Sequence, residues 1–190
     1  MEASLLATKL HEPQARAGLI KRPRLTVRLA AGMARRLVLL SAPPGCGKTT
    51  LLCEGLSETR PESEPGALGR TRVAWLSLDS DDNDPALFLS YVIAALETVE
   101  DGAGAGARAL LQSLQPVPQK TVLASLINAM ASFGADTVLV LDDYHLIEAQ
   151  PVHDALGFLV ENLPRQVHVV VASRGDPPCR SHGFEPGISL

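Results

Sequence analysis

The chain has 190 residues, enough for one domain with a substantial core and too few for two ample ones. A formal net charge of -4, with 46% hydrophobic and 4% aromatic residues, is ordinary for a soluble protein and gives no electrostatic reason to bind nucleic acid. Its three cysteines (Cys46, Cys53 and Cys179) lack metal-ligand spacing and argue against a disulfide framework or zinc site; with no signal-peptide core and no apolar run of membrane length, the expectation is a cytoplasmic protein.

In chain order, residues 1–30 form an N-terminal segment with the basic cluster Arg16, Lys21, Arg22, Arg24 and Arg28, continued by Arg35 and Arg36. Such a run can suggest a polyanionic partner, but more often it is a solvated face. Leu37 to Ala42 is a near-continuous apolar run of strand length, and Thr49 to Thr59 is helix-length. A second strand is expected over Arg72 to Asp79. The following Asp79-Ser-Asp-Asp-Asn-Asp-Pro85 has the carboxylates of a calcium loop, but Asp84 replaces its glycine and Ser90 its final glutamate. A helix start fits better, with Asp84 as N-cap and Pro85 at the first helical position.

Ala86 to Val99 has helical apolar spacing. Asp101-Gly-Ala-Gly-Ala-Gly-Ala107 reads as a flexible connector and Gln115-Pro-Val-Pro118 as a stiffer turn. Helix (Val122 to Phe133), strand (Thr137 to Asp143), helix (Val152 to Leu163) and strand (Val167 to Ser173) follow, and the tail over 179–190 has no regular pattern. Alternating strands and helices imply an α/β fold with a mainly parallel sheet covered on both faces. The expected division is an N-terminal segment over 1–30, an α/β domain over 31–178, and an irregular tail over 179–190.

Three strand ends carry the chemistry. After the first strand, Ser41-Ala-Pro-Pro-Gly-Cys-Gly-Lys-Thr-Thr50 fits the phosphate-loop pattern except that Ala42 stands where the first glycine belongs. The backbone N–H groups of Pro44-Gly-Cys-Gly-Lys-Thr-Thr50, Pro44 excepted, would face phosphate oxygens, and Gly45 and Gly47 permit the backbone angles this needs. Lys48 would supply charge to the β- and γ-phosphates and Thr49 a hydroxyl to magnesium.

The third strand ends in Asp142-Asp143. Asp142 suits magnesium and Asp143 an attacking water, although Asp after a strand also caps turns. Arg174, at the end of the fourth strand, can meet a γ-phosphate or stand solvated in a turn. His145, His153 and His168 have no metal-helix spacing and read as structural.

These phrases together resemble the N-terminal P-loop ATPase region of the large ATP-dependent LuxR-type transcription activators, the maltose-regulon-activator group of STAND-class NTPases. The matching residues are Leu5 to Pro13, Lys21-Arg-Pro-Arg-Leu25, Ser41 to Thr50, Ala74-Trp-Leu-Ser-Leu-Asp79, Asp82-Asn-Asp-Pro85, Val140-Leu-Asp-Asp-Tyr-His145, Ala172-Ser-Arg174 and Asp176-Pro-Pro178. The resemblance implies a three-layer αβα sandwich and an ATP-switched regulatory module, at most a slow ATPase, with ATP and Mg2+ as cofactors. Lys48, Asp143 and Arg174 would be catalytic. Pro44, Gly45, Cys46, Gly47, Lys48, Thr49, Thr50 and Arg22 would bind nucleotide, with Leu19 to Leu25 near the adenine, and Thr49 and Asp142 would hold magnesium.

It further implies self-association or association with full-length relatives, with no membrane partner and no direct DNA binding by these residues. Pro44 and Cys46 depart from the family, which has a small residue and an aromatic there. The last residues, Cys179 to Leu190, depart more: the expectation is a domain truncated after its fourth core strand, in order 2-3-4-1, with an open edge beside the first strand. Two other classes remain open, a stand-alone small ATPase or phosphotransferase and an inactive interaction fragment.

Overall fold

A computed structural model describes residues 5–13, 22–58, 71–175 and 188–189. The apolar runs form strands β1 (Leu37–Ser41), β2 (Arg72–Ser77), β3 (Thr137–Asp142) and β4 (Val167–Ser173), all joined in parallel. The sheet order is β2-β3-β4-β1-β5, where β5 is the short pair Ile188–Ser189. Register places Leu39 opposite Val171 and Leu139 opposite Val169, so apolar residues align across the sheet.

Strand alternation divides the core in two. Val38, Leu40, Trp75, Val138, Val140, Val170 and Ala172 face one cluster, into which Leu29 of α1 (Pro23–Gly32) and Leu51, Leu52 and Leu56 of α2 (Lys48–Glu58) pack. Leu39, Ala74, Leu76, Leu139, Leu141, Val169 and Val171 face the other, covered by α3 (Pro85–Glu97), α5 (Gln119–Met130) and α6 (Gln150–Glu161). This is an αβα sandwich. Each such Leu or Val, sealed from water, contributes roughly 1.5–3 kcal/mol.

Asp84 caps α3 through a 2.7 Å bond from the Leu87 N–H, with Pro85 in the first turn, as its sequence implies. Two expectations need correction. The Gly-Ala run is not merely a connector, because α4 (Ala105–Leu111) begins within it. Ala103 and Ala107 are buried, and a Cβ at Gly104 would come within 2.1 Å of Ile93 Cγ2, so small residues here permit α4 to approach α3.

The sheet also does not stop at four strands. Ile188 and Ser189 pair with Leu40 and Ser41, covering part of the β1 edge where unpaired backbone groups were expected. The rest of the tail, Asp176-Pro-Pro178 and residues 14–21 with Arg16 and Lys21 lie outside the described residues.

Among the described elements with no counterpart in the sequence reading, two lie ahead of β1. One is α1, which packs on α2. The other is a short 3-10 turn, Ala7–Leu10, lying against β2 and α3. Its Lys9 is buried, with Nζ 2.6 Å from Asp82 Oδ2 and 3.0 Å from Asp79 Oδ2, over the Tyr91 ring.

Candidate functional site

Parallel strands deliver their C-terminal ends to one edge, and here β1, β3 and β4 bring the chemistry-bearing residues together. β1 leads through buried Ala42, whose N–H donates to Ser173 O of β4 at 3.2 Å, so the root of the following loop is fastened to its neighbour. Pro43 to Cys46 then turn sharply. Gly45 (φ 78°) and Gly47 (φ 75°) occupy the left-handed region, and α2 starts immediately at Lys48. Glycine is needed at both for backbone rather than space: no heavy atom lies within 4 Å of a Cβ built on Gly45.

Lys48 folds back over the loop. Its Nζ donates to Ala42 O at 2.8 Å and Pro43 O at 3.3 Å, which holds the cation beside the loop with little solvent access. Arg22, ahead of α1, donates from Nη1 to Cys46 O at 2.8 Å and ties that helix to the loop.

Thr49 Oγ1 donates to Asp142 Oδ2 at 2.8 Å, and the Asp143 N–H donates to Asp142 Oδ1 at 2.9 Å. Burial raises the Asp142 pKa, opposed by the Thr49 bond and reinforced by the negative charge of Asp143. A carboxylate so placed gains from a cation. Asp143 itself sits at φ 55°, with its side chain half exposed.

A cleft of about 300 Å³ opens between these elements. Its walls include Pro44, Gly45, Gly47, Lys48, Thr49 and Thr50 from the loop and helix start, together with Asp143 and Arg174 from the ends of β3 and β4. Asp142 stands behind Thr49. Cys46 and Arg22 flank the loop and are not among the lining residues, and Leu19 to Lys21 lie outside the described residues.

The histidines separate. His153 Nδ1 lies 2.8 Å from the buried Tyr144 hydroxyl, and His168 Nδ1 2.8 Å from Arg35 O, both packing arrangements. His145 instead belongs to the site's surroundings, with Nδ1 3.8 Å from Asp143 Oδ1. Burial lowers its pKa, helped by the charges of Arg174 and Lys48 and opposed by Asp143 and Asp142. Sequence reasoning missed this placement; its signal was adjacency to the Asp142-Asp143 pair.

No family model matches the chain. Among curated proteins, the HTH-type transcriptional regulator MalT of Cronobacter sakazakii is 34% identical over 173 residues, covering 91% of this chain and 18% of that protein. MalT of Vibrio cholerae is 30% identical over the same length and with the same two coverages. The chain thus spans 18% of the length of these relatives.

Among solved structures, Cdc6p of Pyrobaculum aerophilum superposes with a TM-score of 0.56 at 14% identity, covering 97% of this chain and 49% of that one. Drosophila ORC bound to DNA gives a TM-score of 0.51 at 14% identity, with coverages of 96% and 45%. At such identity the likeness is one of fold. The chain is homologous to one segment of the MalT-type HTH transcriptional regulators and has the α/β fold of P-loop NTPases.

Proposed function

We propose that the cleft binds ATP with Mg2+ and that the chain is the nucleotide-binding regulatory module of a MalT-like transcriptional regulator, at most a slow ATPase. The observation that carries this reading is the Thr49–Asp142 pair at 2.8 Å beneath a loop with two left-handed glycines. A strand-end turn without a ligand has no need to bury a carboxylate against a helix-start hydroxyl.

Magnesium prefers oxygen ligands, and a hydroxyl beside a buried carboxylate whose pKa is raised by desolvation suits it. Thr49 and Asp142 would hold it, and when bound it supplies positive charge to the phosphate oxygens. The loop N–H groups from Gly45 to Thr50 and the α2 N-terminus would bind the phosphates. Lys48 would exchange its bonds to Ala42 and Pro43 for phosphate oxygens.

Asp143 would orient or deprotonate an attacking water, and Arg174, which lines the same cleft, would contact the γ-phosphate. Arg22 would fix the loop and the approach of the base. Self-association controlled by the bound nucleotide, and a cytoplasmic setting, follow from the same reading. No helix of the described residues is long and apolar enough to cross a membrane.

Titration calorimetry with MgATP, beside Lys48→Ala, tests the proposal. Saturable binding by the wild type that this change abolishes supports it. No binding by a folded wild-type chain sinks it and leaves an interaction fragment that retains the loop sequence without its ligand.

A further inference from the structure

The turn between β2 and α3 contains one amide among carboxylates, Asp81-Asp-Asn-Asp84. Asn83 uses its whole hydrogen-bonding capacity. Nδ2 donates to Ser80 O and Leu146 O, each at 3.0 Å, and Oδ1 accepts from the N–H groups of Glu148 and Ala149, each at 2.7 Å. Three of these four bonds reach more than 60 residues along the chain, to the segment just beyond the Asp142-Asp143 pair.

That segment leads straight back to the cleft. The Leu146 N–H donates to Asp143 O at 3.0 Å, closing the turn, while the carbonyl of Leu146 is held by Asn83. Asp143 is the non-glycine residue with a positive φ among the described residues, and a backbone of this kind persists where its surroundings over-determine it. Among the described residues its half-exposed carboxylate has no close side-chain bond to aim it, His145 being 3.8 Å away. The turn must do the aiming.

The Asn83 end is itself rigid. Asp82, the preceding residue, is fully buried, accepts from the Asp79 N–H at 2.8 Å and is clamped by Lys9.

We propose that Asn83 is a positioning residue for the nucleotide site, its carboxamide fixing the Leu146–Ala149 segment and through it the direction of Asp143. This rests on the nucleotide reading and adds a residue from outside the cleft. An aspartate at 83 would still accept from Glu148 and Ala149, but it would turn a carboxylate toward the Ser80 and Leu146 carbonyls where the amide donates.

The test compares wild type, Asn83→Asp, Asp143→Asn and the double variant by MgADP calorimetry, single-turnover MgATP cleavage and amide hydrogen exchange. Asn83→Ser, which keeps a short donor and acceptor without added charge, runs in parallel so that a folding defect of the aspartate variant does not decide the matter. MgADP affinity is expected to stay within about threefold, while cleavage by Asn83→Asp falls roughly tenfold or more and the double variant falls no further than Asp143→Asn. The amides of Leu146, Glu148 and Ala149 exchange about tenfold faster, with those of β3 unchanged.

Unchanged exchange in the Asn83 variants overturns the proposal. So do cleavage losses that multiply in the double variant, or a loss of cleavage no larger than the loss of MgADP affinity. A wild type that neither binds nor cleaves MgATP sinks the nucleotide reading instead, and the exchange data then decide alone whether Asn83 sets the Asp143 turn.

Discussion

Thr49 and Asp142 lie 93 residues apart in the chain and 2.8 Å apart in space, a hydroxyl at the start of α2 meeting a carboxylate at the end of β3. Asp142→Asn removes the charge and keeps the shape. Relief of a desolvated carboxylate offsets an impaired hydrogen bond, so ligand-free stability should stay within about 1 kcal/mol of wild type. Magnesium should lose its effect: melting with ADP and Mg2+ is expected to match melting with ADP and chelator. A persistent magnesium-dependent rise in Tm would place the metal elsewhere.

Gly47→Ala tests the loop backbone. The nearest heavy atom to the added Cβ would be Arg22 Nη2 at 3.8 Å, so there is room, but φ is 75°. The left-handed conformation should cost about 1–2 kcal/mol, read by urea unfolding. Nucleotide affinity should fall about tenfold if the loop gives up that conformation, since a penalty of this size converts to such a factor.

Lys9→Met leaves Asp82 buried without its cation, and Asp82 Oδ1 already has no hydrogen-bond partner among the described residues. The expected loss is about 3–5 kcal/mol in denaturant unfolding. Combining it with Asp82→Asn should return much of that loss, because the penalty lies in the stranded charge. Equal losses in single and double variants would show that Lys9 acts through packing on Tyr91.

Buried His153 beside the Tyr144 hydroxyl sets an acid limit. Burial lowers its pKa from 6.5, opposed by Asp154. The unfolded chain therefore binds the extra proton first as pH falls. Its stabilising share is fully present above about 6.5 and is lost as pH drops through the depressed folded value. His153→Gln should flatten the fall in Tm between pH 7.5 and 5.5 relative to wild type; an unchanged slope would assign that fall to other groups.

The strands were legible because Leu37 to Ser41, Thr137 to Asp142 and their companions are covered on both faces and read as unbroken apolar runs. The loop glycines were legible because their backbone requirement is local. Helix α4 was not, since its alanines and glycines carry meaning through what they let approach, Ile93 above all. Nor was Asn83, whose partners at Leu146, Glu148 and Ala149 are set by the fold and not by neighbouring residues. Lys9, pairing with Asp82 across 73 positions, was hidden for the same reason.

Strand β1 finds its sheet partners in β4 and β5, so every ladder contact of this early strand lies beyond residue 166. During synthesis it leaves the ribosome long before either neighbour exists. β2 and β3 can pair first, while the segment leading to the loop waits for Val167 to Ser173. The loop at the end of β1 would then gain its sheet support only once β4 has emerged, and until then the apolar residues Leu37 to Leu40 are without their ladder partners in β4.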